Sequence, residues 1–227
     1  MAGFDYAVAA LVALLTVDAF LVLMHFISFA VPSPFDNLQL WFDLDGDQSI
    51  ASWFSSSQLL VSGLLFFFAA WWRWHDRLEG QLFAVAGLAF CFLSADETVM
   101  IHERVTAFTA KYDFVPRFEG DHGVWIFAYG AIGVVLLLAF SRHVFALMRQ
   151  RPMVAAFTGG GFATLLLGAV TIEVLGYYGV LTGPLQVAIE ECLEMVGGSL
   201  IVCGALGLAL SIVPSLVPAS ASSRQSQ

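Results

Sequence analysis

Apolar positions in this chain come in six long runs, and the charged residues collect at their ends and between them. The runs cover about 7–31, 55–74, 81–102, 123–147, 154–178 and 186–212. Each is long enough to cross a bilayer, which takes roughly 20 residues of α-helix. The pattern predicts an all-α polytopic membrane bundle of about six transmembrane helices, forming one domain over 1–213. Pro214 and Pro218 stop the last helix, and the Ser-rich stretch that follows predicts a disordered tail over 214–227.

Composition supports this class. Of 227 residues, 59% are hydrophobic and 12% charged, against about 25% charged in soluble domains. The first run is longer than a signal-peptide core and has no Lys or Arg before it, so an uncleaved span is expected although Ser28-Phe29-Ala30 loosely resembles a cleavage site. Cys91, Cys192 and Cys203 all fall within apolar runs without CxxC spacing, and read as small packing residues.

Charge sets the expected orientation. Arg73, Arg77, Arg142, Arg149, Arg151 and Arg224 fall in the second and fourth loops and the tail, while Arg104, Lys111 and Arg117 share the third loop with acids. The positive-inside rule then places both termini in the cytoplasm, N-in and C-in. Asp36, Asp43, Asp45, Asp47, Asp113, Glu119 and Asp121 face outward, and the net charge of −9 argues against a nucleic-acid partner. Trp71, Trp72 and Trp74 suit an inner aromatic belt, Trp41 and Trp53 an outer one. A three-plus-three inverted repeat, common in transporters, is not visible.

The chemistry-bearing residues converge on one leaflet. Span three ends in Ser94-Ala-Asp96-Glu97 and Ile101-His102-Glu103-Arg104; span six begins with Glu190-Glu191-Cys-Leu-Glu194 before Gly197-Gly198; span five carries Glu173 near its outer end. At 1.5 Å rise per residue these groups lie within roughly 12 Å of the outer boundary. His25 of span one and His122 of span four fall in the same zone. The three acids of span six share an arc, and Asp96 and Glu103, seven apart, share a face, with Glu97 and His102 to either side.

An ionised carboxylate at mid-membrane costs about 2.5–3.5 kcal/mol on insertion scales, less near the interface. Seven acids (Asp96, Glu97, Glu103, Glu173, Glu190, Glu191, Glu194) face one nearby arginine, Arg104, and a few histidines. They cannot all stay ionised and unpaired, so metal ions or protons must be bound there. The leading expectation is a divalent iron, manganese or zinc site built from Glu97, His102, Glu103, Glu173, Glu190 and Glu194, with Asp96, Glu191, His122, His25 and Asp18 as a secondary polar set. No His-Glu-x-x-His occurs, and nothing indicates an organic cofactor. If the protein is an enzyme, metal-activated water acting on a lipid or other apolar substrate is the natural chemistry. A proton- or cation-coupled transporter is the alternative, with a route past His25 and Asp18, and a structural network of protonated acids is the third. Asp18, near the middle of span one, reads either as a proton stepping stone or as a protonated acid bonded to a neighbouring helix.

The first outer loop, Asp43-Leu-Asp45-Gly-Asp47-Gln-Ser49, matches several positions of a calcium-binding loop but has Gln48 where Gly is usual and Phe54 where the bidentate Glu is usual. Asp43, Asp45, Asp47 and Ser49 are thus a weak calcium candidate beside the simpler reading of a solvated acidic turn. Together Phe42-Asp-Leu-Asp-Gly before Trp53-Phe-Ser-Ser, Leu93-Ser-x-Asp-Glu with Ile101-His-Glu-Arg, and Glu190-Glu-x-Leu-Glu-Met-x-Gly197 resemble a group of bacterial multi-pass inner-membrane proteins of uncharacterised activity. The resemblance implies the same architecture and location, and carries no reaction with it.

Overall fold

The computed structural model describes residues 2–31, 37–112, 114–118 and 123–213. Among them the regular structure is helical: α1 (Ala2–Ala30), α2 (Asn37–Phe42), α3 (Ile50–Trp72), α4 (Arg77–Val99), α5 (Ile101–Thr109), α6 (Val124–Gln150), α7 (Pro152–Leu166), a π-helical segment (Leu167–Ile172), α8 (Glu173–Tyr177) and α9 (Pro184–Ile212). Six helical stretches are long and apolar enough to span a membrane, the fifth being α7, the π segment and α8 in succession. The protein is an all-helical multi-pass membrane protein.

Local chemistry moves the helix ends away from the hydropathy boundaries. α3 begins five residues before the expected 55, because the Ser49 hydroxyl accepts the Ser52 amide proton at 3.1 Å and caps the first turn. α4 begins at Arg77 rather than 81, capped by Asp76 toward the Glu79 amide at 3.5 Å. It stops at Val99 because Met100 takes a left-handed conformation (φ 55°, ψ 47°). His102, expected inside span three, therefore starts a separate helix, α5. Pro152 and Pro184 open α7 and α9 at first-turn positions where no amide proton is needed.

α9 is the centre of the bundle: 72% of its most apolar stretch is buried, against 6% for α6. α1, α3 and α7 surround α9, and α4 packs on the far side of α3. Lipid provides no hydrophobic drive between helices, so close backbone approach and interhelical hydrogen bonds must do that work. A Cβ on Gly197 would lie 2.7 Å from the Gly161 carbonyl oxygen, and one on Gly161 would lie 2.6 Å from that of Gly197, so α7 and α9 touch backbone to backbone. Between α3 and α4, the Ser56 hydroxyl donates to the Ser94 carbonyl at 2.8 Å and meets the Thr98 hydroxyl at 2.9 Å. Leu59, Phe66, Phe83, Phe90, Ile201 and Leu208 fill the space between these contacts.

The two ends of the bundle differ chemically. At one end Glu79 accepts from Arg73 Nε at 2.7 Å and lies 3.9 Å from Arg151, whose guanidinium reaches the Ser211 hydroxyl at 2.6 Å. At the other end lie the Asp43–Ser49 loop, the end of α4, α5, α8 and the start of α9. Among the described residues, the acids named from sequence lie there except Asp18.

Candidate carboxylate site at one end of the bundle

The break at Met100 builds the first part of the site. Because the chain turns there, α5 folds back and the His102 amide donates to Asp96 Oδ1 at 2.8 Å, while His102 Nδ1 meets Asp96 Oδ2 at 3.1 Å. The Tyr129 hydroxyl of α6 donates to the same Oδ1 at 3.2 Å, and the Trp125 ring lies edge-on to His102, centroids 5.5 Å apart. Asp96 is 6% exposed, so these donors replace its water. The helical geometry expected from sequence, with Asp96 and Glu103 on one face, is replaced: His102 turns onto Asp96 and Glu103 is left exposed. The cause is the left-handed residue, which ends the 100° periodicity at Val99.

Burial works against the charged His102 ring, but the Asp96 hydrogen bond and the charges of Asp96, Glu103 and Glu173 outweigh it, so its pKa is raised above the ordinary histidine value. The ring is therefore the natural counter-charge for the surrounding acids.

The second part of the site lies between α4, α8 and α9. Glu97 faces the charges of His102, Asp96 and Asp47. Glu191 faces Glu97, Glu190, Asp45 and Asp47, and Glu194 faces Glu191, Glu97, Glu190 and Glu173. The π-helical segment brings Glu173 to this group, the kind of local widening that often marks functional positions. Within it Gly168 permits near-contact with α9: a Cβ there would meet the Glu190 carbonyl oxygen at 2.7 Å and Glu194 Cγ at 2.9 Å. Tyr177 donates to Glu173, and the Gln186 amide reaches Glu190 at 3.4 Å.

The convergence of spans three, five and six thus takes the form of two adjoining patches bridged by His102. Glu191, placed in the secondary set from sequence, sits at the centre with Glu97 and Glu194, whereas Glu103 is peripheral. Tyr129, Tyr177 and Gln186 went unnoticed in the sequence, where an isolated tyrosine in an apolar run reads as an interface anchor. Among the described residues no group of three or more His, Cys, Asp or Glu side chains is arranged to hold a metal ion as the side chains stand. His122 lies outside the described residues.

The acidic loop leans toward the same site. Asp45 and Asp47 are exposed, yet their charges reach Glu191. Asp43 Oδ1 accepts the Asp45 amide at 3.2 Å and the Ser49 hydroxyl is used as the α3 cap, so two of the four calcium candidates already have internal partners. His25, 1% exposed, fastens the loop to α1: its Nδ1 accepts the Leu44 amide at 3.1 Å and lies 3.7 Å from Asp43.

Asp18 makes a separate contact at the middle of α1. Gln58 of α3 and Ser199 of α9 both donate to it, and all three are buried. Neither partner was predicted, although Gln58 is an isolated amide in an otherwise apolar and Ser-containing helix.

A family model described as "Domain of unknown function (DUF8692)" matches residues 7–209. No curated protein and no solved structure matches the chain. Because the match runs from the first turns of α1 to the last turn of α9, over most of the chain, the protein belongs to the DUF8692 family.

Proposed function

We propose that this protein works through a cation-accepting carboxylate chamber at the acidic end of its membrane bundle, and that the cation is a divalent metal, iron, manganese or zinc. One observation carries the reading. Five carboxylates from three spans, Glu97, Glu173, Glu190, Glu191 and Glu194, form one chain of mutually acting charges, and His102 is the basic group that acts on two of them, Glu97 and Glu173. Five like charges against one histidine require further positive charge. Carboxylates with an imidazole form a donor set suited to these metals. The side chains are not preassembled, so binding would draw Glu97, Glu191 and Glu194 together, with His102, Glu173 and Glu190 adjoining. In the expected orientation the chamber opens to the periplasmic side of a bacterial inner membrane. There a bound ion would supply Lewis acidity toward a lipid or other apolar substrate.

Elemental analysis of protein purified in detergent, with melting curves after metal addition and chelation, tests this. Stoichiometric metal that falls in Glu194→Gln and Glu97→Gln is the expected result. A metal-free preparation whose melting temperature ignores both metal and chelator would sink the metal reading. The second reading, a proton- or cation-coupled transporter, is favoured by the buried acid at mid-span, Asp18.

A further inference from the structure

Asp18, Gln58 and Ser199 join three different helices in the middle of the bundle, and none contributes to the carboxylate chamber. Asp18 is 1%, Gln58 3% and Ser199 0% exposed. The Gln58 amide nitrogen donates to Asp18 Oδ1 at 3.2 Å and to Ser199 Oγ at 2.9 Å, and Ser199 Oγ donates to Asp18 Oδ2 at 2.8 Å. The triangle is closed by neutral partners. Gln58 Oε1 is buried without a hydrogen-bond partner, pressed toward Gly198, where a Cβ would come within 2.5 Å of it.

The surroundings hold few ionisable groups. α3 carries no titratable side chain along its length. On α9 the Cys192 thiol lies within range of Asp18's charge, and on α1 the next is His25, about 10.5 Å along the axis, with the buried Leu21 between them. His25 Nε2 is itself buried and unpartnered.

We propose that Asp18, Gln58 and Ser199 form a proton-binding site at mid-membrane. When Asp18 is ionised, the three hydrogens described above all converge on acceptors. When a proton binds Oδ2, the carboxyl donates to Ser199 Oγ, whose second lone pair still accepts from Gln58. The Ser199 hydroxyl hydrogen then turns away from Oδ2. One proton is the only species gained or lost. A group at this depth that changes charge feels the transmembrane potential, so the site is placed to make this bundle proton- or voltage-responsive. The inference does not rest on metal binding at the chamber and stands if no metal is found there.

Infrared difference spectra of the full chain in lipid, recorded across a pH series in sodium and in choline buffers, test it. The expected result is a carboxylic-acid carbonyl band that disappears on raising the pH, is absent in Asp18→Asn, and moves to higher frequency in Ser199→Ala, where its acceptor is lost. Three results would overturn it: no band dependent on Asp18, a band that never changes with pH, or a band displaced by sodium but not choline, which would make the ligand a metal cation. If Asp18→Asn does not fold, Ser199→Ala decides alone, and a band it leaves unmoved rejects the site. Metal analysis of the same Ser199→Ala protein separates failure here from failure of the chamber.

Discussion

Asp96 serves three donors at the joint between α4 and α5, all in a half-buried setting. Asp96→Ala leaves the half-buried His102 amide and Tyr129 hydroxyl without that acceptor, at about 0.5–1.5 kcal/mol for each hydrogen bond lost. The expected outcome is a clear fall in the chemical unfolding midpoint in detergent, and an unchanged midpoint would contradict the contact. His102 adds a pH dependence with a definite sign. Its folded-state pKa is raised, so the stabilisation is complete below the ordinary histidine value of ~6.5 and is lost as pH rises through the higher folded value. In metal-free protein the stability advantage of wild type over His102→Asn should therefore shrink from mildly acidic to alkaline pH. An advantage that grows with pH would refute the assignment. None of this was readable from residue spacing, because a helix assumed continuous through Met100 points His102 away from Asp96.

Among elements, α7 and α9 depend on the absence of side chains where their backbones meet. Gly197→Ala places a methyl group 2.7 Å from a carbonyl oxygen and should destabilise by about 1–3 kcal/mol, as overpacking does. Gly160→Ala, on the same helix as Gly161 but with nothing within 4 Å of the added atom, should be neutral or gain up to ~1 kcal/mol from helix propensity. Paired thermal melts of the two variants check this contrast, and equal effects would mean that the α7–α9 contact is not tight. The arc formed by Glu190, Glu191 and Glu194 was legible in the sequence, since it needs only helical periodicity on an unbroken α9. The π segment before Glu173 was not, because an extra residue per turn leaves no mark in hydropathy.

For the whole molecule, the bundle has an acidic and a basic end, and the basic one carries Arg73 and Arg151 around Glu79. By the positive-inside rule the acidic loop at Asp45 should face away from the cytoplasm. A membrane-impermeant label should then react with a cysteine placed at Asp45 in intact cells and not with one at Gln150. The reverse pattern would invert the proposed sidedness of the chamber. α6 lies at the periphery, with Ile132, Val135 and Leu138 more than half exposed, as expected of a helix facing lipid.

Hydropathy alone determined the class and the six long apolar helices, because transfer of an apolar run into lipid outweighs any contact between helices. Periodicity determined the face of α9. What tertiary structure decided is which acids are neighbours and what holds them. The nearness of Glu97, Glu191 and Glu194 depends on how α4 and α9 are placed around α3. The bonds to Asp96 depend on one left-handed residue, and those to Asp18 on three helices far apart in sequence. Polar contacts in a bilayer act over a few ångströms, whereas sequence patterns report only the average environment along each helix.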